Sequence, residues 1–180
     1  IGTYYTDPDM QDSVPGLSGV LVNNTAGLEY ALKNAPAGST IDLAAGTYEL
    51  DSTLTIDKEI TLVGAVDANG APATILQGEN NTNRNGVEIS GDDIVTLKNL
   101  RFTQFGGEIQ SNNVILAGGA AGTFTGKLVM DNCAIDEFGK NGITVKGGTA
   151  EISNTLVDVT NVNNVANRAP NGIQIDNNAT

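Results

Sequence analysis

The sequence from residue 127 to residue 157 reads KLVMDNCAIDEFGKNGITVKGGTAEISNTLV. One pattern occurs twice in it: an apolar residue, any residue, asparagine, two further residues and a second apolar residue. The two copies are centred on Asn132 and Asn154. Between them lies Ile143-Thr144-Val145, in which two aliphatic residues flank a polar one. Short apolar runs bounded by Asn and Gly are typical of strands joined by tight turns.

Both patterns recur through most of the chain. The asparagine pattern has a third copy at Asn99 and an earlier copy with Gly64 in place of asparagine. The strand pattern begins at residues 87, 114, 143 and 173, which are 27, 29 and 30 residues apart. A period of about 30 residues with two or three short strands in each period predicts a solenoid, because each coil buries its inward side chains only against its neighbours.

The repeated asparagine predicts a structural ladder at one corner of the solenoid. A tight turn between strands needs a residue at positive φ, which glycine adopts freely and asparagine tolerates best among the other residues. Stacked asparagine side chains can also hydrogen-bond along the axis, as they do in cross-β stacks. We therefore predict a turn ladder that consists of Gly64, Asn99, Asn132 and Asn154.

One helix is predicted near the N-terminal end. Residues 25–35 place apolar side chains at helical spacing, with Asn24 or Thr25 as the N-cap and Pro36 and Gly38 ending the helix. The chain therefore divides into residues 1–24, an N-terminal tether or irregular cap, and residues 25–180, a solenoid domain that opens with this capping helix.

Several stretches resemble the pectate-lyase-like superfamily. They are Ala37-Gly38-Ser39-Thr40-Ile41, Ala45-Gly46-Thr47-Tyr48, Ile60-Thr61-Leu62-Val63-Gly64-Ala65 and Met130-Asp131-Asn132-Cys133-Ala134-Ile135. The resemblance covers about residues 25–180 and implies an all-β fold, a right-handed parallel β-helix with a short N-terminal capping α-helix. It implies little about activity, because this fold hosts lyases, hydrolases, epimerases, adhesins, tailspikes and surface-layer components. Enzymes of the superfamily generally place their site on the outer face of one sheet and its flanking loops.

Composition excludes several classes of function. The chain has 180 residues, 9 Lys+Arg against 21 Asp+Glu, and a net charge of -12. Nucleic acid is not expected as a partner, because its phosphates would be repelled. The absence of His excludes a Ser-His-Asp triad and His-ligated metals, and the single Cys excludes an internal disulfide. No apolar run approaches the roughly 20 residues that span a bilayer.

An enzyme of this fold would carry its site on the outward face of the repeated strands. With the first and third residues of each strand facing inward, the outward residues are Glu88, Ile115, Thr144 and Gln174. The next positions along the strands are Ser90, Ala117, Lys146 and Asp176. Lys146 and Asp176 are then expected on adjacent coils, about 5 Å apart, as an exposed ion pair or as part of a site.

The remaining charged candidates lie in the loops before these strands. A polysaccharide lyase needs an Arg or Lys to take the proton α to a uronate carboxylate, with a cation to neutralise that carboxylate. A hydrolase needs two carboxylates about 5 to 9 Å apart, which Asp136 and Asp176 would supply. The candidate catalytic residues are Lys140, Lys146, Arg168, Asp136 and Asp176. No cofactor is expected, with Ca²⁺ at Asp136 and Glu137 as the alternative; the same residues serve equally well as solvated loop charges.

We expect a non-catalytic extracellular structural or adhesive protein of the cell surface. The reasons are the negative charge, the lack of His, the plain outward column, the few aromatics, and sequons at Asn23, Asn80 and Asn178. The β-helix is expected to be incomplete at its C-terminal end, because a strand at 173–175 leaves an open edge. The expected partners there are further coils of the same protein or other copies, assembling end to end. The alternatives are a lyase or hydrolase of acidic polysaccharide and a non-catalytic glycan-binding module.

Overall fold

The chain winds through five coils, and each coil contributes one strand to each of three sheets. The computed structural model describes residues 3–5, 11–12, 20–80, 82–106, 112–119, 122–159, 171–176 and 179–180. The described elements are, in chain order, β1 (Thr3–Tyr5), β2 (Gln11–Asp12), β3 (Val20–Val22), α1 (Thr25–Asn34), β4 (Ser39–Leu43), β5 (Gly46–Glu49), β6 (Leu54–Ile56), β7 (Ile60–Val63), β8 (Thr74–Gln77), β9 (Val87–Ile89), β10 (Ile94–Lys98), β11 (Leu100–Thr103), β12 (Asn113–Ala117), β13 (Lys127–Asp131), β14 (Ala134–Ile135), β15 (Asn141–Val145), β16 (Thr149–Ser153), β17 (Leu156–Val157) and β18 (Asn171–Ile175).

The three sheets run the length of the solenoid. Sheet A has the order β16-β13-β10-β7-β4-β3-β1-β2, sheet B the order β17-β14-β11-β8-β5, and sheet C the order β18-β15-β12-β9-β6. The strands of neighbouring coils pair in parallel, and among the described strands only β1 and β2 pair in the antiparallel sense. The predicted fold, an all-β parallel β-helix with one short helix, is confirmed.

The core is a stack of side chains that point inward from all three sheets. Because the coils pair in register, equivalent residues lie directly above one another. Sheet A contributes Ile41, Leu62, Leu97 and Met130, sheet B contributes Tyr48, Leu76, Phe102 and Ile135, and sheet C contributes Ile56, Ile89, Ala117 and Val145; all of these are buried. The alternation of buried and more exposed residues along β7 and β13 follows from this arrangement.

Helix α1 covers the N-terminal end of this core. The Asn24 side chain accepts a hydrogen bond from the Gly27 amide at 2.7 Å, so Asn24 is the N-cap. Buried Leu28, Ala31 and Leu32 face the core, and the helix ends at Asn34, one residue before the predicted end. The apolar face of α1 packs on the first coil in the place that a preceding coil would otherwise occupy.

The three strands within residues 1–24 belong to sheet A. Strand β3 pairs in parallel with β4, and β1 pairs in parallel with β3. The buried Tyr48 hydroxyl donates hydrogen bonds to the carbonyls of Val22 and Ala44, at 3.1 and 3.0 Å. Burial raises the pKa of this Tyr48 hydroxyl. A single side chain thereby links the end of β3 to the first coil.

The register of β12 corrects the predicted outward column. Ile115 pairs with Val87 and Ile143, so it points inward, and Leu116 pairs with Glu88 and Thr144. The outward column is therefore Glu88, Leu116, Thr144 and Gln174. The row that follows this column along the strands is Ser90, Gly118, Lys146 and Asp176. Ala117, which was predicted in that row, pairs with Val145 and points inward. The prediction was wrong because it took Val114 as the first inward residue of the repeated pattern, whereas the pattern begins one residue later, at Ile115.

Candidate functional site

A continuous row of asparagines marks the start of every sheet C strand from the second coil onward. The four residues are Asn85, Asn113, Asn141 and Asn171. Asn113 donates to Asn85 Oδ1 through both its backbone amide, at 2.7 Å, and its side-chain amide, at 3.2 Å. Asn141 donates to Asn113 Oδ1 at 2.8 Å, and Asn171 donates to Asn141 Oδ1 at 3.0 Å. All donations run toward the N-terminal end, so the ladder has a direction.

Polar side chains of the outward column complete this ladder. Asn85 donates to Glu88 Oε1 at 2.7 Å, the Thr144 hydroxyl donates to Asn113 Oδ1 at 2.7 Å, and Asn141 donates to Gln174 Oε1 at 3.1 Å. Thr144 is 1% exposed and Leu116 is 4% exposed. At Leu116 and Thr144, the outer face is therefore a buried structural surface, hydrogen-bonded to the ladder through Thr144.

Sequence reasoning missed this second ladder although its signal was present. The four asparagines are 28, 28 and 30 residues apart, and three of them are followed by glycine, an aliphatic residue, any residue and a second aliphatic residue. Taking the repeat from the asparagine instead of from the first apolar residue would also have given the correct register of β12.

The ladder predicted at the corner between sheets A and B has a more mixed structure. Asn99, Asn132 and Asn154 have positive φ values of 57°, 50° and 48°. Asn132 donates to Asn99 Oδ1 at 2.9 Å, and Asn99 donates to the Gly64 carbonyl at 3.2 Å. The side chain of Asn154 instead donates to Asp131 Oδ1 at 2.8 Å. The hydrogen-bonded ladder therefore joins Gly64, Asn99 and Asn132, and Asn154 hydrogen-bonds to a carboxylate instead.

Gly64 occupies its corner for a reason other than the predicted one. Its φ does not lie in the left-handed region. A Cβ at this position would lie 2.2 Å from the Asn99 carbonyl oxygen and 2.8 Å from the Cβ of Thr74. Close approach of the next coil, and not backbone conformation, therefore requires glycine here.

Asp131 anchors a charged cluster beside this corner. It accepts hydrogen bonds from Asn154 and from the Ser153 hydroxyl, and its carboxylate lies 3.3 Å from Lys98 Nζ. These interactions, with the Asn154 hydrogen bond the largest and Lys98 next, lower the pKa of the Asp131 carboxyl. The cluster ties three coils together on the outside of sheet A.

Asp136, a candidate catalytic and calcium residue, is held in a structural ion pair. Arg101 donates to both of its carboxylate oxygens, at 2.9 and 3.1 Å, and the Thr103 hydroxyl donates at 2.6 Å. The hydrogen bond to Asp136 is the main cause that raises the pKa of Arg101. Glu137 follows with a φ of 49°, so its backbone forms the corner after β14. Arg101 was not predicted as a partner, because the pair joins residues 35 positions apart.

The other candidate catalytic residues do not converge. Asp136 follows a strand of sheet B, whereas Lys146 and Asp176 follow neighbouring strands of sheet C. Asp176 accepts a hydrogen bond from Gln174 at 2.8 Å, and within the described part of the chain it makes no ion pair with Lys146, contrary to expectation. Lys140 is exposed before β15. Arg168 lies outside the described residues.

An acidic pocket lies elsewhere, beside sheet B. A pocket of about 510 Å³ is lined by Glu49, Asp51, Glu79, Gln77, Asn80 and Gln104. The guanidinium of Arg84 lies 3.8 Å from Glu79, and the buried Oδ1 of Asn80 has no hydrogen-bond partner. A second pocket of about 440 Å³ separates α1 from β6 and is lined by Glu29, Lys33 and Asp57 among others.

Cys133 is a buried structural residue. It is 3% exposed, and its Sγ contacts the carbonyls of Leu97 and Asp131 at 3.4 and 3.5 Å. Burial raises the pKa of the thiol to about 11. The thiol is therefore protonated at neutral pH and is a poor nucleophile or metal ligand.

The described residues contain neither a cluster of metal ligands nor a membrane-spanning helix. Within them, no three His, Cys, Asp or Glu side chains are grouped so as to hold a metal ion. No helix in these ranges is both long and apolar enough to cross a bilayer. Residues Asn81 and Asn178, which belong to two of the three sequons, lie outside the described residues.

The fifth coil leaves the apolar interior open, and we call this surface the open end. It consists of the inward side chains of β16, β17 and β18: Ala150, Ile152, Val157, Ile173 and Ile175. Ile173 and Ile175 are each 48% exposed, although their partners Ile143 and Val145 one coil earlier are 0% exposed. Among the described strands of the fifth coil, β17 and β18 pair on one side only, and β16 is bonded on its outer side by Thr180.

A scan of the chain against models of known protein families finds no match, and a search of curated proteins finds none with significant similarity.

Proposed function

We propose that this protein is a non-catalytic structural or adhesive component of the cell surface. The observation that carries the proposal is the separation of the candidate catalytic groups. Asp136 is neutralised by Arg101 on sheet B, while Lys146 and Asp176 lie on sheet C. An active site needs its acid, base and charge stabiliser around one reacting atom, whereas these groups are separately exposed or bound in structural contacts.

The extended ladders and the open end support the same proposal. Side-chain contacts on the outer surface connect neighbouring coils. They are the two asparagine ladders, the Arg101–Asp136 pair and the Lys127–Glu151 pair at 2.7 Å. An open apolar end suits a component that is longer or assembled in its working form. The location outside the cell is proposed from the Asn- and Gly-rich, negatively charged composition with a single Cys.

We further infer membership of the pectate-lyase-like superfamily, within the parallel β-helix fold. The supporting observation is that the three resembling N-terminal stretches coincide with strands of the first two coils: β4 holds Thr40 and Ile41, β5 holds Thr47 and Tyr48, and β7 holds residues 60–63. Calcium is proposed only as a ligand of the enzymatic alternative, because Asp136 already has Arg101 as its counter-ion.

The test is an activity panel on acidic and neutral polysaccharides with and without Ca²⁺, following unsaturated products and new reducing ends. The structural proposal expects no turnover and no change in binding for Lys140→Ala, Lys146→Ala or Arg168→Ala. Turnover that one of these variants abolishes, with unchanged circular dichroism, would overturn it and support the lyase.

A second candidate is hydrolysis of a neutral saccharide at the pocket beside sheet B. The specific observation is that Glu49, Asp51 and Glu79 line one cavity, and paired carboxylates are the groups that glycoside hydrolysis requires. Three carboxylates would repel an acidic polysaccharide, so a neutral substrate is favoured. Loss of reducing-end production in Glu49→Gln or Glu79→Gln, with Glu59→Gln as an exposed control, would establish this candidate.

A further inference from the structure

The open end has features that specify what covers it. The chain beyond β18 turns back over sheet A, where the Thr180 amide donates to the Gly148 carbonyl at 3.0 Å and the Ala150 amide donates to the Thr180 carbonyl at 2.7 Å. Because the two bonds go to the residues on either side of Thr149, Thr180 pairs with Thr149 as a residue of a parallel strand does. On the other side of Thr149, its partner in the preceding coil is Lys127, so Lys127, Thr149 and Thr180 occupy equivalent positions. Thr180 therefore lies where the sheet A strand of a sixth coil would begin, and in the same direction.

The asparagine ladder points to the same kind of neighbour. Each asparagine of the ladder donates to the one before it, so Asn171 ends the ladder with an acceptor. No described residue donates to Asn171 Oδ1. A strand that runs parallel to β18 and carries a side-chain amide at the equivalent position would continue the row.

The space around Gly172 is compatible with the same kind of neighbour. A Cβ on Gly86 would lie 2.7 Å from the Val114 carbonyl oxygen, and a Cβ on Gly142 would lie 2.7 Å from the Gly172 carbonyl oxygen. In both cases the close atom belongs to the following coil. A Cβ on Gly172 would meet nothing closer than 3.7 Å. Gly172 therefore leaves room for a following coil, as Gly86 and Gly142 do, although the third coil has Val114 at this position.

We propose that the open end is a docking surface for one further parallel β-coil. That coil presents an amide side chain over Asn171 and aliphatic side chains over Ile173 and Ile175, and its strands run in the direction of β16, β17 and β18. The opposite end of this chain does not provide such a coil, because α1 covers the apolar interior there. The inference names the partner that the proposed structural role requires.

The probe is a chain in which residues 128–148 are repeated directly after Thr180. Because Thr180 is equivalent to Lys127, this extension supplies the rest of one coil in register, with its own copy of Asn141-Gly142-Ile143-Thr144-Val145. The matched control carries the same extension with aspartate at the copies of Ile143 and Val145. We expect the probe to remain a monomer by light scattering and to slow amide exchange in β16 and β18 at least tenfold, and the control to leave exchange unchanged.

A glycine variant provides a second readout. Gly172→Ala should have little effect on the thermal midpoint of the present chain, and it should lower the midpoint of the extended chain by several degrees, the same effect that we expect for Gly142→Ala in the present chain. Exchange in β16 and β18 that the extension does not slow would overturn the proposal. So would a present chain that is dimeric with these strands already protected, because a second copy would then be the occupant. Neither result depends on the polysaccharide panel, so this inference and the proposed function can fail separately.

Discussion

Val145 and Ile175 form a matched pair that tests the described register and the open end together. They occupy the same inward position of sheet C on adjacent coils, yet Val145 is 0% exposed and Ile175 is 48% exposed. An aspartate in place of either residue introduces the same carboxylate into two environments that differ only by the presence of a following coil.

The expected costs differ because only one of the two carboxylates reaches water. At Val145, an unpaired carboxyl group must be protonated or buried as an ion, which costs about 3–5 kcal/mol, and loss of the aliphatic side chain adds about 1–2 kcal/mol. At Ile175 the carboxylate is solvated, and the cost is the half-burial of isoleucine, about 1 kcal/mol. The free energy of unfolding should therefore fall about 4 kcal/mol further for Val145→Asp than for Ile175→Asp.

Urea unfolding followed by circular dichroism measures this difference. If Val145→Asp does not fold, Val145→Ala and Ile175→Ala replace the pair, with expected losses of about 2 and about 1 kcal/mol. Equal losses at the two positions would refute the reasoning, because either the register of β15 and β18 would be wrong or the end of the solenoid would be covered.

The remaining predictions concern the ladder, the ion pair and the thiol. Asn113→Leu removes the acceptor of two side-chain hydrogen bonds and should lower the free energy of urea unfolding by about 2 kcal/mol, whereas Asn34→Leu, on the exposed face of α1, serves as the control and should be nearly neutral. Arg101→Met leaves Asp136 without its cation and should cost about 1–2 kcal/mol in urea unfolding at neutral pH, and an unchanged free energy of unfolding would argue against the pair. Burial raises the pKa of Cys133 from 9.0 to about 11, so the folded state favours the neutral thiol; the resulting stability is complete below pH 9 and is lost as pH rises toward 11, by about 3 kcal/mol in total. Urea unfolding of the parent chain and of Cys133→Ala across this range should show the extra alkaline loss in the parent alone, and parallel pH profiles would contradict it.

The sequence by itself determined the architecture, because a solenoid repeats the same local problem in every coil. Stacked parallel strands can be predicted without knowledge of any long-range contact. The signals are a period of about 30 residues, aliphatic pairs in each period, and asparagine or glycine at the repeated corner. Helix α1 was likewise predictable, since Asn24, the apolar spacing and Pro36 are local signals. The positive φ of Asn99 follows from the same local chemistry.

Only the tertiary structure decided how the coils align and what their charged groups contact. The register of β12 depends on which of three successive apolar residues pairs with Val87, and an uninterrupted apolar run carries no alternation from which to decide. The Arg101–Asp136 pair and the pocket beside sheet B join residues that are about one coil apart, so their existence depends on that alignment. The exposure of Ile175 is decided in the same way: its sequence pattern matches that of buried Val145, and the two differ only in whether a further coil lies above them.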